Sequence, residues 1–319
     1  MKCVEKFDFC MDTVIYQKIY GKNSEVAIDE ATRKIQYLER LLSFFQEESD
    51  IYQINSKAGK DWVKVNQDTI EILKMAVKIS ELSAGVFDVT TGVLNDYWRH
   101  LKKNQKKPDK NQIDDLMRLI NYRDILINPE EKLVKLSRFN QKIDLGGIGK
   151  GYAGEKVIDV YKDYSIQSGF INLGGNVVTI GKPHWNRNWI IGIRDPFSED
   201  GGIFGNLKVE DQAVVTSGGY ERYYEINGFK YHHILDPRNG FPARLEWQSV
   251  TVVAESSSLA DALSTAIFIM SQKELVGFLE NFPSLGVILV AHPGEIVVSK
   301  NLKEIFQKIN QKMSIIYIN

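Results

Sequence analysis

Two hydrophobic periods run through this chain, and they do not alternate strictly. Residues 13–20 alternate loosely between apolar and polar, the period of a strand. Behind Ser24, a candidate N-cap, Ile28, Ala31, Ile35, Leu38, Leu41, Leu42 and Phe45 recur at helical spacing. Asp68 stands as the cap of a second helix carrying Ile70, Leu73, Ala76, Val77 and Ile79. The basic, polar run 102–110 reads as a solvated loop, and 112–120 as a third helix. After Tyr122 the texture changes. Asn128-Pro129 separates two short apolar runs, a hairpin over 125–127 and 132–136. Strands are predicted over 143–145, 170–173, 177–180, 189–193, 214–216, 223–226, 248–253, 286–291 and 295–298. Helices are predicted over 152–163, 257–270, 272–281 and 302–309. Strands that come in runs, with helices inserted among them, indicate α+β rather than a doubly wound parallel sheet.

No linker-like tract interrupts the 319 residues. The expectation is one domain over 1–319, with any second subdomain intertwined with the first. Lys and Arg total 40 against 41 Asp and Glu, which removes the electrostatic case for a general nucleic-acid binder. The two cysteines, Cys3 and Cys10, are too few for a disulfide framework and form no zinc pair. The first twelve residues contain Glu5, Asp8 and Asp12 and no apolar run, so no signal peptide is expected. No stretch has the roughly 18 apolar residues of a membrane span. The chain as written is expected to be soluble and cytoplasmic.

Five places concentrate glycines and polar residues. They are 85–92 (GVFDVTTG), 143–152 (IDLGGIGKGY), 172–176 (NLGGN), 216–220 with 233–240 (TSGGY and HILDPRNG), and 260–266 (ADALSTA). Residues 149–154 match G-x-G-x-x-G, but no acid ends the strand that follows, so a dinucleotide-binding fold is disfavoured. Lys150 is followed by Gly151 rather than Ser or Thr, so this is no Walker A loop. Two functions remain open for the segment: a tight turn into a helix, or a cradle of N–H groups plus one Lys for a pyrophosphate. Asp261 and Thr265 lie four apart and share a helix face, a carboxylate and hydroxyl suited to Mg²⁺ or to a local hydrogen bond. His233, near Asp236, is suited to proton transfer, although His232 beside it shows that adjacency alone decides nothing.

Taken together, and in this order, the motifs resemble the ApbE-type flavin transferases. The resemblance runs from Met11-Asp12-Thr13 through 49–55 (SDIYQIN) and the five places above to Thr265. It implies an ApbE-like, T-fold-like α+β architecture. It also implies an enzyme that transfers the FMN half of FAD to a threonine hydroxyl of an acceptor flavoprotein and releases AMP. By family position, Asp261, Thr265 and the carbonyl of Gly147 would hold Mg²⁺. Met11, Phe45, Val86, Phe87, Asp88, Asp144, Lys150 and Leu235 would contact FAD, with Asn55 and Ser217 near the flavin. His233 would be the base. Val86 stands where Ala is usual, Leu235 where Ile is commoner, and Phe45 where Tyr is frequent. Many members of the family are exported, membrane-anchored lipoproteins. Two other functions would use the same residues: a metal-dependent FAD pyrophosphatase, or a carrier that binds FAD without turnover.

Overall fold

The computed structural model describes residues 2–183, 187–198, 200–219, 223–226, 229–243 and 246–318, with only the backbone given for 223–226 and 229–230. The chain forms two compact units from interleaved segments. The first comprises Met1–Tyr37, Lys150–Gly218 and Leu245–Asn319, and the second Leu38–Gly149 and Gly219–Arg244.

In the first unit, nine of the described strands form one sheet. Their order is Cys3–Cys10, Thr13–Tyr20, Ser168–Leu173, Asn176–Ile180, Ala213–Gly218, Ser249–Ala254, Gly286–Val290, Glu295–Ser299 and Ser314–Ile318. Every pair is antiparallel except the last. Tight turns explain the pairing. Met11 and Asp12 both take positive φ, 53° and 58°, between Cys10 and its partner Thr13. Two left-handed residues give a turn whose twist matches the flanking strands. Gly174 and Gly175 do the same between Leu173 and Asn176, with φ of 60° and 96°. A Cβ on Gly174 would lie 2.0 Å from Oγ1 of Thr13, so this turn also needs the missing side chain.

The helix Ser257–Ile269 packs on the strands Asn176–Ile180, Ala213–Gly218 and Ser249–Ala254. Its first turn is capped by Ser256, whose side chain accepts from the Leu259 N–H. On the helix Gly149–Asp163, buried Tyr161 donates its hydroxyl to Oε1 of Gln17 at 2.7 Å, and Gln17 donates to Thr32 Oγ1 at 3.0 Å. Burial pushes the Tyr161 phenol well above its ordinary value. A three-stranded sheet, Trp189–Arg194, Ile203–Val209 and Phe306–Lys308, contributes Trp189, Phe204, Leu207 and Phe306 to a core shared with Val253, Ile288 and Val298.

The second unit holds the helices Asp50–Ser56, Gln67–Leu82, Gly92–Asn104 and Lys110–Met117. With them are a small sheet of Val63–Lys64, Leu133–Leu136 and Ile125–Asn128, and a two-stranded ribbon of Tyr223–Ile226 and Phe229–His232. Val93, Leu94, Trp98, Leu101, Ile113 and Leu235 form a core there, and the Trp98 indole donates to the Gly240 carbonyl at 2.9 Å.

The class is α+β, as the sequence pattern indicates. Several elements differ from expectation. Residues 302–309 are not a helix: Phe306–Lys308 pairs with Gly205–Leu207, and the Ile309 N–H donates to the Phe204 carbonyl. Residues 143–145 are not a strand, because the Asn55 side chain takes both backbone groups of Ile143 at 2.7 and 2.9 Å. The helix behind Ser24 stops at Leu42, leaving Phe45 beyond it, and Ser24 donates back to the Gly21 carbonyl. Asp68 lies inside the first turn of its helix, whose N-cap position is Asn66. The loop expected over 102–110 begins as the end of the helix Gly92–Asn104.

Candidate functional site

The residues of interest fall in both units, and each set is built differently. In the second unit, Ser83, Asp88 and Thr90 fold the segment after the helix Gln67–Leu82 into a locked loop. Asp88 is buried. Its Oδ1 accepts from the Thr90 N–H at 2.8 Å and the Thr90 hydroxyl at 2.6 Å, and its Oδ2 from the Tyr122 N–H at 2.9 Å. Burial pushes the Asp88 carboxyl up, against these donors, which favour the charged form. The neighbouring Val86 and Phe87 are buried, and the Phe87 N–H donates to Ser83 Oγ. Of this stretch the sequence could show the glycines and the acid, but not that the carboxylate braces the loop.

Asp144 sits at the start of the glycine turn. Its N–H donates to the Val89 carbonyl at 2.8 Å, joining the two loops. Its Oδ1 accepts from the Gly146 N–H at 2.9 Å, and its Oδ2 from Asn95 at 3.2 Å and Arg99 Nη2 at 2.5 Å. Asn95 and Arg99 lie one turn apart on the helix Gly92–Asn104, a helix the sequence pattern did not reveal. Val93, Leu94, Trp98 and Leu101 were the signal for it, a buried stripe behind Gly92. Gly147 lies half-buried in the turn that ends at the first residue of the helix Gly149–Asp163. Phe45 is 65% exposed.

The two adjacent histidines are opposites. His232 ends the strand Phe229–His232 and is buried. Its Nδ1 accepts from the Ile234 N–H at 3.2 Å, which leaves the proton on Nε2, 3.1 Å from the Ala243 carbonyl. Burial pushes its pKa below the ordinary value, the Ala243 carbonyl opposing. His233 follows in a bend and is exposed. Asp236, the acid near it in sequence, is committed elsewhere: Arg238 donates Nε and Nη2 to it, both at 2.8 Å.

In the first unit, the helix Ser257–Ile269 carries Asp261 and Thr265. Asp261 is 5% exposed. One backbone donor, the Gly151 N–H, reaches its Oδ2 at 2.8 Å. That N–H is therefore spent on a carboxylate and not left for a phosphate. Gly151 also has to be glycine, since a Cβ there would stand 2.4 Å from the Ser257 carbonyl oxygen. Burial pushes the Asp261 carboxyl up; the Lys150 charge, the Gly151 N–H and the Asn176 amide act against it. Asn176 is buried, delivered there by the Gly174-Gly175 turn. Its Nδ2 completes no hydrogen bond of ordinary geometry among the described residues. Ser217 Oγ lies 2.8 Å from Ser264 Oγ, which donates to the Asp261 carbonyl at 2.8 Å. Thr265 Oγ1 is 3.5 Å from the same carbonyl. Met11, with its positive φ, is half-buried in the first turn of the sheet.

These residues fit a divalent cation. A buried carboxylate with one backbone donor is under-satisfied, and a carboxylate and a hydroxyl on one helix face are hard oxygen ligands. No group of three or more His, Cys, Asp or Glu side chains is placed to hold a metal among the described residues. A cation here would complete its shell with carbonyl, water or substrate oxygens, as Mg²⁺ does at phosphates. Asn95 and Arg99, which bond to Asp144, lie outside the motifs read from the sequence; Asn176 ends the 172–176 motif, but its place beside Asp261 comes only from the fold.

Known proteins resemble this chain over most of its length. The model of the ApbE family matches residues 11–289. A protein of Klebsiella pneumoniae (strain 342) named FAD:protein FMN transferase is 30% identical over 289 residues, covering 91% of this chain and 89% of its own. One of the same name from Treponema pallidum (strain Nichols) is 28% identical, covering 86% and 80%. The crystal structure of an ApbE protein from Thermotoga maritima superposes with a TM-score of 0.89 at 32% identity, covering 95% of this chain and 99% of its own.

Proposed function

The chain belongs to the ApbE family, and on that premise we propose that it is an FAD:protein FMN transferase. The match over residues 11–289 carries the proposal, and the buried, under-satisfied Asp261 supports its metal dependence. The reaction proposed joins the FMN phosphorus to the hydroxyl oxygen of an acceptor threonine. The pyrophosphate bond breaks, and AMP leaves with the bridging oxygen. Such a transfer needs positioning and charge neutralisation more than covalent chemistry.

Asp261, Thr265 and the carbonyl of Gly147 are the proposed ligands of Mg²⁺, which when bound supplies charge neutralisation on the pyrophosphate. Lys150 adds a fixed positive charge at the start of its helix. His233 takes the proton from the threonine hydroxyl; its exposure suits a base that meets a second protein, whereas His232 is held neutral and inward. Asp88 and Asp144 brace the two loops and contact FAD from them, and Met11, Phe45, Val86, Phe87 and Leu235 supply the apolar contacts. Asn55 and Ser217 are lesser candidates for residues near the flavin.

The test combines purified protein, FAD, Mg²⁺ and a threonine-bearing flavoprotein subunit, with acceptor mass and AMP read together. A gain of one FMN matched by AMP and abolished by chelation is expected. AMP without acceptor gain would instead show an FAD pyrophosphatase, and bound FAD without AMP a carrier.

A further inference from the structure

Arg99 has one nitrogen too many for the partners it has. Its Nη2 donates to Asp144 Oδ2 at 2.5 Å. The two-bond fork usual between guanidinium and carboxylate does not form: Nη2 alone bonds to Asp144, whose Oδ1 accepts from the Gly146 N–H. Asn95 shares Oδ2 with Nη2, at 3.2 Å. Nη1 is shielded from solvent and has no hydrogen-bond partner. The shielding has a visible cause: the guanidinium carbon lies 4.7 Å from the centre of the Phe44 ring and 4.8 Å from that of Phe45. The two rings meet edge to face, 5.3 Å apart, and hold the guanidinium against them.

A buried guanidinium N–H without an acceptor costs stability. An exposed aromatic ring at its side is the surface on which a planar ring stacks. We propose that Arg99 is a substrate-binding residue: when the exposed Phe45 ring turns aside, Nη1 donates to an acceptor atom of FAD while Nη2 fixes Asp144. The inference rests on the transferase reading for the identity of the ligand. It assigns Arg99 two separate tasks, one through Asp144 and one on the nucleotide itself.

A double-mutant cycle on FAD affinity separates them. Wild type, Arg99→Gln, Asp144→Ala and the double variant would be titrated with FAD by calorimetry, with thermal melts to confirm folding. A charged hydrogen bond lost to substrate weakens binding about tenfold or more. The expected result is that Arg99→Gln costs at least that factor even in the Asp144→Ala background. Arg99→Lys, which keeps the charge and a donor for Asp144 but lacks the second nitrogen, should lose affinity while keeping the wild-type melting temperature. Titrations with FMN and AMP should show the loss in one half of the dinucleotide. If Arg99→Gln costs nothing once Asp144 is gone, Arg99 only braces Asp144 and the inference fails, with the transferase reading intact. If wild type binds no FAD, both fail.

Discussion

The buried carboxylates of the two units are satisfied to different degrees. In the second unit, Asp50, Asp88, Asp144 and Asp236 are surrounded by donors. Asp50 accepts from the Asn66 N–H and the Thr69 hydroxyl, Asp88 from three groups, Asp144 from Gly146, Asn95 and Arg99, and Asp236 from Arg238 and Asn239. In the first, Asp261 is as deeply buried but has one backbone donor and a nearby amide. A saturated carboxylate is a brace. An under-saturated one carries its desolvation cost as stored affinity for a cation. On the proposed assignment, burial alone does not separate brace from metal ligand, whereas the count of donors does.

The sharpest way to break this comparison is to neutralise one member of each class. Asp261→Asn should reduce Mg²⁺-dependent FMN transfer roughly a thousandfold, the several kcal/mol a metal contributes. Its melting temperature without metal should be unchanged or higher, because a desolvated charge is gone. A fall in stability with transfer intact would place Asp261 among the braces. Next in size, His233→Ala should lower transfer at least a hundredfold while leaving FAD affinity and melting unchanged. Transfer at the wild-type rate would refute the base assignment.

Asp88→Asn should do the reverse of Asp261→Asn. An amide nitrogen in place of one oxygen would face either the Thr90 or the Tyr122 N–H, donor against donor. We expect a loss of about 1–3 kcal/mol in urea unfolding, with transfer by the folded fraction falling far less than in Asp261→Asn.

The smallest effect concerns the paired histidines. His232 has a folded pKa below its ordinary value, so between that value and about 6.5 the unfolded chain binds more protons. Stability should therefore fall as pH drops below about 6.5 and level off below the folded value. His232→Gln should flatten that segment of the profile. A profile unchanged by His232→Gln would overturn the assignment.

Much of this was legible in the residues, for physical reasons that differ from place to place. The strand Thr13–Tyr20 and the buried stripe Ile28, Ala31, Ile35, Leu38 declare themselves because one face of each meets a core. The helix Gly92–Asn104 was hidden by its own start, a glycine and a threonine cap without a side-chain bond. Residues 143–145 have the composition of a strand, and only the amide of Asn55, far off in sequence, takes the ladder's place. Residues 302–309 carry a helical spacing that tertiary pairing with Ile203–Val209 overrides. The motif acids could be named as a group. Which of them braces and which awaits a ligand depends on donors from remote segments, such as Gly151 for Asp261 and Tyr122 for Asp88.

The pairing of the second strand has a consequence in time. Thr13–Tyr20 meets its inner neighbour through Tyr16 and Asn172, about 150 residues further along the chain. At roughly 5–20 residues per second, a ribosome needs about 10–30 s to deliver that partner. Through that interval the first hairpin is without its neighbour, with Phe7, Phe9 and Val14 on an outer face that remains exposed even in the finished protein. A long open edge beside apolar side chains invites pairing with other chains. The nascent protein is thus most vulnerable before residue 168 emerges, and slowing translation across the inserted second unit should raise aggregation more than slowing it afterwards.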